Sequence, residues 1–233
     1  MGTLYLVATP IGNLEDITLR ALRVLKEVPL VAAEDTRVTR ILFRAHAIAT
    51  PLVSFHEFTS PARRGRLLDR LAAADLALVT DAGMPGVSDP GYPLIRDALA
   101  AGHQVVPIPG ASSVLAALVA SGLPTHSFCF HGFLPRTSAA RRRFFERYAA
   151  TDTTLVVFES PHRMLSTLAD LVAVLGPLRP LAIARELTKR FEEVFRGTAA
   201  DALDHFRAHP PRGEFTLVVG AEGSPVPASK LAS

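Results

Sequence analysis

Four short stretches combine glycine, proline, hydroxyl residues and carboxylates in a way that suits a ligand better than a core. Thr9-Pro10-Ile11-Gly12-Asn13 places a turn glycine after an apolar run, and Glu34-Asp35-Thr36-Arg37 sets two carboxylates side by side. Residues 80–91 hold three glycines and two prolines in twelve positions, a rigid loop that lets a ligand approach the backbone closely. Pro109-Gly110-Ala111-Ser112-Ser113 is a small-residue turn opening a helix. It could hold a phosphate at the helix N-terminus, or give an adenosine room without any phosphate. Local structure explains part of this pattern. Asp35 reads either as a helix N-cap or as a site acid, while Asp89 and Pro90 read as the cap and first position of a helix. Asp81 through Val87 has no such role and is the better ligand wall.

Several chemistries are excluded by what is missing. There is no G-x-G-x-x-G after the first strand, which speaks against a dinucleotide enzyme, and no G-x-S-x-G for a serine hydrolase. His205 and His209 are four apart on a helix, but nothing completes a ligand set, so no metal is expected. Cys129 is the one cysteine and reads as a small buried hydrophobe, so no disulfide scaffold is possible.

The basic residues point to an anionic polymer. Of 25 Lys and Arg only three are Lys (Lys26, Lys189 and Lys230), and the sequence pI is about 9.4. Arginine holds phosphates with a planar fork and stacks on bases. Arg136, Arg141, Arg142, Arg143 and Arg147 cluster against a single Glu146, and Arg63, Arg64, Arg66 and Arg70 share a second helix. Two such clusters favour an anionic polymer over a small neutral substrate.

The elements that position these stretches alternate. Strands are predicted over 4–8, 29–33, 52–55, 76–80 and 105–108, with helices over 16–26, 37–45, 61–73, 90–101 and 111–121 between and after them. That rhythm means right-handed βαβ units and a parallel sheet, whose ligands bind beyond the carboxyl ends of the strands. Gly122-Leu123-Pro124 interrupts it. Beyond lie predicted strands over 128–132, 154–158, 181–185, 193–197 and 215–220 and helices over 139–149, 163–175 and 200–208. The short loop 186–192 makes the third and fourth of those strands an antiparallel hairpin. The expected domains are a parallel α/β domain over 1–123, a mixed α/β domain over 124–221 and a flexible tail over 222–233. With 233 residues, 48% hydrophobic, a net charge of +3 and no run long enough to span a bilayer, the expectation is a soluble cytoplasmic protein.

Seven separated motifs now define a resemblance. They are Thr9 to Asp16, Ala33 to Arg37, the 81–91 loop, Pro109 to Ser113, Glu159-Ser160-Pro161-His162-Arg163, Arg185-Glu186-Leu187-Thr188-Lys189 and Gly213-Glu214-Phe215. In this order, across residues 3–221, the chain resembles the tetrapyrrole-methylase-like (class III) methyltransferases. Porphyrin-directed members usually carry Gly-Asp-Pro in the fourth-strand loop, where this chain has Gly83-Met84-Pro85. The match is to the RNA-modifying branch, which methylates the ribose 2′-hydroxyl of a cytidine in the decoding region of 16S rRNA. The resemblance implies two α/β domains, S-adenosylmethionine bound in the cleft between them, and a homodimer acting on the small ribosomal subunit. Two other classes stay in view: a methyltransferase of the same fold acting on a porphyrin or other small molecule, and a non-enzymatic ribosome-assembly protein that binds RNA.

Carried over by motif, the cofactor wall comprises Pro10, Ile11, Asp81, Gly83, Met84, Val87, Ala111 and Ser112, with Phe158, Glu186, Leu187, Phe215 and Thr216 from the second half. Met84 reads equally as packing. A ribose hydroxyl must lose its proton as it attacks a methyl group, so a base is expected. Lys189, if desolvated beside Arg185 and Arg190, is one candidate through a lowered pKa, or else it pairs with Glu186 or binds phosphate; Glu34, Asp35 and Glu159 are its rivals. Arg37, Arg163 and Arg185 are expected to orient the target phosphate, and Arg136, Arg141, Arg142 and Arg143 to hold RNA outside the site.

Overall fold

The computed structural model describes residues 1–227. By contacts the chain forms two compact units, Met1–Ser112 and Ser113–Ser233.

The first unit alternates strand and helix: β1 (Thr3–Val7), α1 (Leu19–Glu27), β2 (Val31–Ala33), α2 (Thr36–Ala45), β3 (Leu52–Ser54), α3 (Pro61–Ala73), β4 (Leu76–Val79), α4 (Tyr92–Ala100) and β5 (Gln104–Ile108). All five strands pair in parallel in the order β3-β2-β4-β1-β5. Successive strand residues face opposite sides, and both sides are covered. Val7, Val31, Ala33, Ala77 and Val79 pack against Val24 and Leu25 of α1 and Phe43 of α2. Leu4, Leu6, Ala32, Leu76 and Leu78 pack against Leu67 and Leu71 of α3 and Leu94 of α4. That double covering is why the strands read as unbroken apolar runs.

Two predicted helices start later than their sequence suggests. The segment expected over 16–26 divides into a 3₁₀ turn, Leu14–Asp16, capped by Asn13, and α1, capped by the Thr18 hydroxyl. Each side chain accepts a backbone N–H that a continuous helix would have used. Asp89 does not cap α4, and Pro90 is not its first residue. The cap is Gly91 at φ +148, and a Cβ there would lie 3.0 Å from the Gly86 amide nitrogen. That close backbone approach delays the helix and frees Asp89.

The second unit contains α5 (Ser113–Ala120), β6 (Phe128–Phe133), α6 (Ser138–Glu146), β7 (Thr154–Glu159), α7 (Met164–Leu175), β8 (Pro180–Arg185), β9 (Glu193–Thr198), α8 (Ala199–Ala208) and β10 (Phe215–Val219). Its sheet runs β6-β7-β10-β8-β9 and is mixed: β6 and β7 are parallel, β10 is antiparallel to both neighbours, and β8–β9 is the expected antiparallel hairpin. One face carries Phe144, Met164, Leu168, Leu203 and Phe206 from α6, α7 and α8. The other is covered by Val114, Ala117 and Leu118 of α5 against Val156, Ala182 and Val218. The sequence reading placed α5 in the first domain. It is apolar almost all round, so no polar stripe says which sheet it covers. The part of the expected tail from residue 228 onward lies outside the described residues.

Candidate active site

Two loops of the first unit are clamped together at the strand ends. The Thr9 amide donates to the Gly83 carbonyl at 2.9 Å, and the Gly83 amide donates back to the Thr9 carbonyl at 3.1 Å. The Thr9 hydroxyl donates to the Thr80 carbonyl at 3.0 Å. Gly83 has φ +78, and a Cβ built on it meets only Ile11 Cγ2, at 3.9 Å. Its backbone therefore faces open space, a cradle that a side chain would fill. The clamp sets Ile11 beside Gly83. Met84 packs against the α3–α4 core face and is at least partly structural. After β5, a Cβ on Gly110 would meet Ala8 Cβ at 2.9 Å, so only glycine lets the chain pass to Ala111 and Ser112, which are half-buried.

Carboxylates surround this clamp. The Asp81 amide donates to Glu34, and the Asp35 amide donates to Asp81. Burial raises the pKa of Glu34 and of Asp81. Asp35 behaves oppositely: its hydrogen bonds with Arg37 hold it down at about 2, and its carboxylate caps α2 through the Arg37 amide at 2.8 Å. A carboxylate so acidic is a poor base at neutral pH. Asp89, which the sequence reading took for a cap, is pushed up to about 6 by burial and then by the Glu34 charge.

In the second unit the expected base is a cation. Lys189 Nζ lies 3.0 Å from Glu186 Oε1 and 2.9 Å from Glu214 Oε2. Burial would lower its pKa, but the two carboxylates outweigh it and the net shift is upward, not downward as expected. The Glu214 amide also donates to Glu186 Oε1 at 2.9 Å. Gly213, at φ +93, permits this: a Cβ there would lie 2.5 Å from the Glu186 carboxylate. The motifs around Glu186 and Gly213 are thus one hydrogen-bonded unit, and Glu214, part of its motif but given no role from sequence, is a member. Leu187 packs against the α5 face of the sheet.

Glu159 is also engaged. Its side chain is fully buried, accepting from the Ser160 amide at 2.8 Å and the Thr167 hydroxyl at 2.6 Å, with Arg163 paired at 2.6 Å. These bonds fasten β7 to α7, and full burial holds the carboxylate away from an incoming substrate proton. Arg185 donates to the Arg212 carbonyl at 2.7 Å and pairs with Glu193. Phe158 is half-buried, edge-on to Phe130 and Phe133. Phe215 lies in the core against Phe206, and Thr216 is buried beside it in β10.

The arginine cluster divides. Arg141 is 2% exposed and donates to Asp170 at 2.9 Å; Arg142 donates to the other oxygen of Asp170 at 2.7 Å. Arg141 is therefore a structural ion pair and leaves the RNA-contacting set. Arg136 and Arg143 are exposed, as is Arg37. Among the described residues no group of three or more His, Cys, Asp and Glu is arranged to hold a metal ion.

Comparison with known proteins gives this arrangement a family. Residues 3–203 match the family model of the Tetrapyrrole (Corrin/Porphyrin) Methylases. A protein of Halalkalibacterium halodurans named Ribosomal RNA small subunit methyltransferase I is 52% identical over 97% of this chain and 78% of its own length. The chain belongs to the tetrapyrrole methylase family. Another member, from Micromonospora olivasterospora and of the same name, is 50% identical over 96% of this chain and 71% of its own. Among solved structures of methylases, uroporphyrin-III-C-methyltransferase from Thermus thermophilus matches with a TM-score of 0.64 and 28% identity, covering 94% of each chain. The two sheets seen here are the architecture of this methylase family.

Proposed function

We propose that the chain transfers a methyl group from S-adenosylmethionine to the ribose 2′-hydroxyl of a cytidine in the decoding region of 16S rRNA, within the small ribosomal subunit. The observation that carries this reading is identity of 50–52% with relatives named for small-subunit ribosomal RNA methylation, over nearly the whole chain. The cytoplasmic location and the homodimer belong to the same proposal; no described helix is long and apolar enough to cross a membrane.

The residues present fit the cofactor. The open backbone at Gly83, beside Ile11, gives an adenosine close access, and the carboxylates at the strand ends suit a cation. S-adenosylmethionine, when bound, supplies an electrophilic methyl on a positively charged sulfur. Pro10, Ile11, Asp81, Gly83, Met84, Val87, Ala111 and Ser112 are the proposed contacts in the first unit. Phe158, Glu186, Leu187 and Thr216 are those in the second. Lys189 enters as a fixed positive charge that holds Glu186 and Glu214 in place. Exposed Arg136 and Arg143 supply guanidinium surface for phosphates, and Arg37, paired with Asp35 but 86% exposed, offers the rest of its fork.

The reading is tested by incubating the protein with methyl-labelled S-adenosylmethionine and, separately, small subunits, naked 16S rRNA and a porphyrinogen. Label in RNA supports it. Label in the porphyrinogen alone, or in no pool, overturns it.

A further inference from the structure

The loops after β2, β3 and β4 enclose a cavity of about 670 Å³, within the roughly 300–1,000 Å³ range of small-molecule sites. Its lining mixes two chemistries. Glu34 and Asp89 bring carboxylates, while Phe58 and Tyr92 bring rings that are 87% and 65% exposed. Neither ring stacks on another aromatic among the described residues, although nearby Phe55 is fully in the core. Bare rings at the rim of a cavity are platforms without a partner.

The charge pattern narrows the partner. The one arginine in the lining, Arg64, is committed: it donates to Asp97 at 3.1 Å and to the Thr59 carbonyl at 3.3 Å. The cavity itself is thus acidic and repels a phosphate. α3 begins two residues after Thr59 of the lining and carries Arg63, Arg66 and Arg70, three and four positions apart on one helical face. A cavity that rejects phosphate beside a helix that attracts it fits a nucleotide whose base enters and whose backbone stays outside.

We propose that this cavity receives one unstacked nucleotide of the RNA substrate, its base laid on Phe58 and Tyr92 and its amino edge donating to Glu34 or Asp89, with flanking phosphates on Arg63, Arg66 and Arg70. The proposal rests on the reading of the chain as an rRNA methyltransferase and names the recognition element of that same chemistry. Enzymes that act on a single nucleotide take it out of the stack, and aromatic faces with carboxylate acceptors are what reads it. Burial pushes the Asp89 carboxyl up, and a hydrogen bond from an exocyclic amine favours its charged form.

The test uses Phe58→Ala, Tyr92→Ala and their double variant, with labelled S-adenosylmethionine and small subunits, under single turnover at saturating RNA. Both side chains are exposed, so the variants fold, and thermal melting checks this. Loss of a base platform should slow the double variant at saturation about tenfold or more. Cofactor affinity by calorimetry should be unchanged, and Phe58→Trp should keep most of the rate. A double variant within threefold of wild type at saturation overturns the proposal, even if its half-saturating RNA concentration rises, because the rings would then only touch the outside of the RNA. Where wild type labels RNA and the double variant labels it as fast, this inference alone fails. Where wild type labels no RNA, the rRNA reading fails and takes this inference with it.

Discussion

The backbone amide of Asp81 donates to the Glu34 carboxylate at 3.3 Å, while the Asp81 carboxylate accepts from the amide of the next residue, Asp35, at 3.1 Å. This reciprocal pair joins the ends of β2 and β4, which are neighbours in the sheet. The loop that follows Asp81 therefore leaves the sheet in a set direction, and the Thr9–Gly83 bridge fixes it from the other side. Three strand ends are thus held before any ligand arrives, which is the preorganisation a binding site needs.

Gly83→Val tests that arrangement. Valine disfavours φ +78 and places methyl groups in the open space beside Ile11. Calorimetry should show S-adenosylmethionine affinity at least tenfold weaker in a variant whose circular dichroism is unchanged. Wild-type affinity would mean that the cofactor does not approach this backbone.

Lys189 is predicted to act through its charge. Lys189→Arg should retain most of the single-turnover rate, since either cation neutralises Glu186 and Glu214. Lys189→Ala should lose rate and stability together, because two carboxylates are left facing each other. A Lys189→Arg variant as damaged as Lys189→Ala would restore the proton-acceptor role.

Asp89 gives a pH signature. Its folded pKa, about 6, is above its usual value of 3.8, so the folded state binds this proton more tightly than the unfolded chain does. The strain of the buried charge is present above pH 6 and is relieved as pH falls from 6 toward 4. Asp89→Asn should therefore melt higher than wild type at pH 8, and the difference should shrink toward pH 4. A constant difference across that window would place the Asp89 carboxylate in solvent.

The arginines of α6 should separate by burial. Arg141→Ala leaves the buried Asp170 with the Ser138 hydroxyl and a single, exposed counter-charge, Arg142, and should destabilise by about 3 kcal/mol in urea unfolding. The Arg136/Arg143→Ala double variant should keep wild-type stability but shallow the salt dependence of RNA binding, by about 0.7–0.9 in log–log slope per lost phosphate contact. Unchanged slope would put the RNA on another face.

Most of the architecture was legible because both units alternate short apolar runs with amphipathic segments. The β8–β9 hairpin followed from the length of its loop alone. What was not legible depended on partners far away in sequence. Arg141 looks like any other member of a basic cluster until Asp170, 29 residues on, is seen to bury it. Lys189 looks like a desolvated base until Glu214, 25 residues on, is seen to hold its proton. Asp89 carries every local mark of a helix cap, and only the approach of Gly91 to Gly86 moves the helix start past it. The strand-end loops stand out in the sequence for their glycine, proline and acidic residues, although Asp35 among them is the cap of α2.

The central claim is tested most directly by the chemical identity of the product. Small subunits lacking the modification are incubated with purified protein and S-adenosylmethionine, and their 16S rRNA is digested and mapped by mass spectrometry. The account predicts one new 2′-O-methylcytidine, in a decoding-region fragment, that depends on both protein and cofactor. A methyl group on a base, a product elsewhere in the RNA, or unmodified RNA beside a methylated porphyrinogen would contradict it.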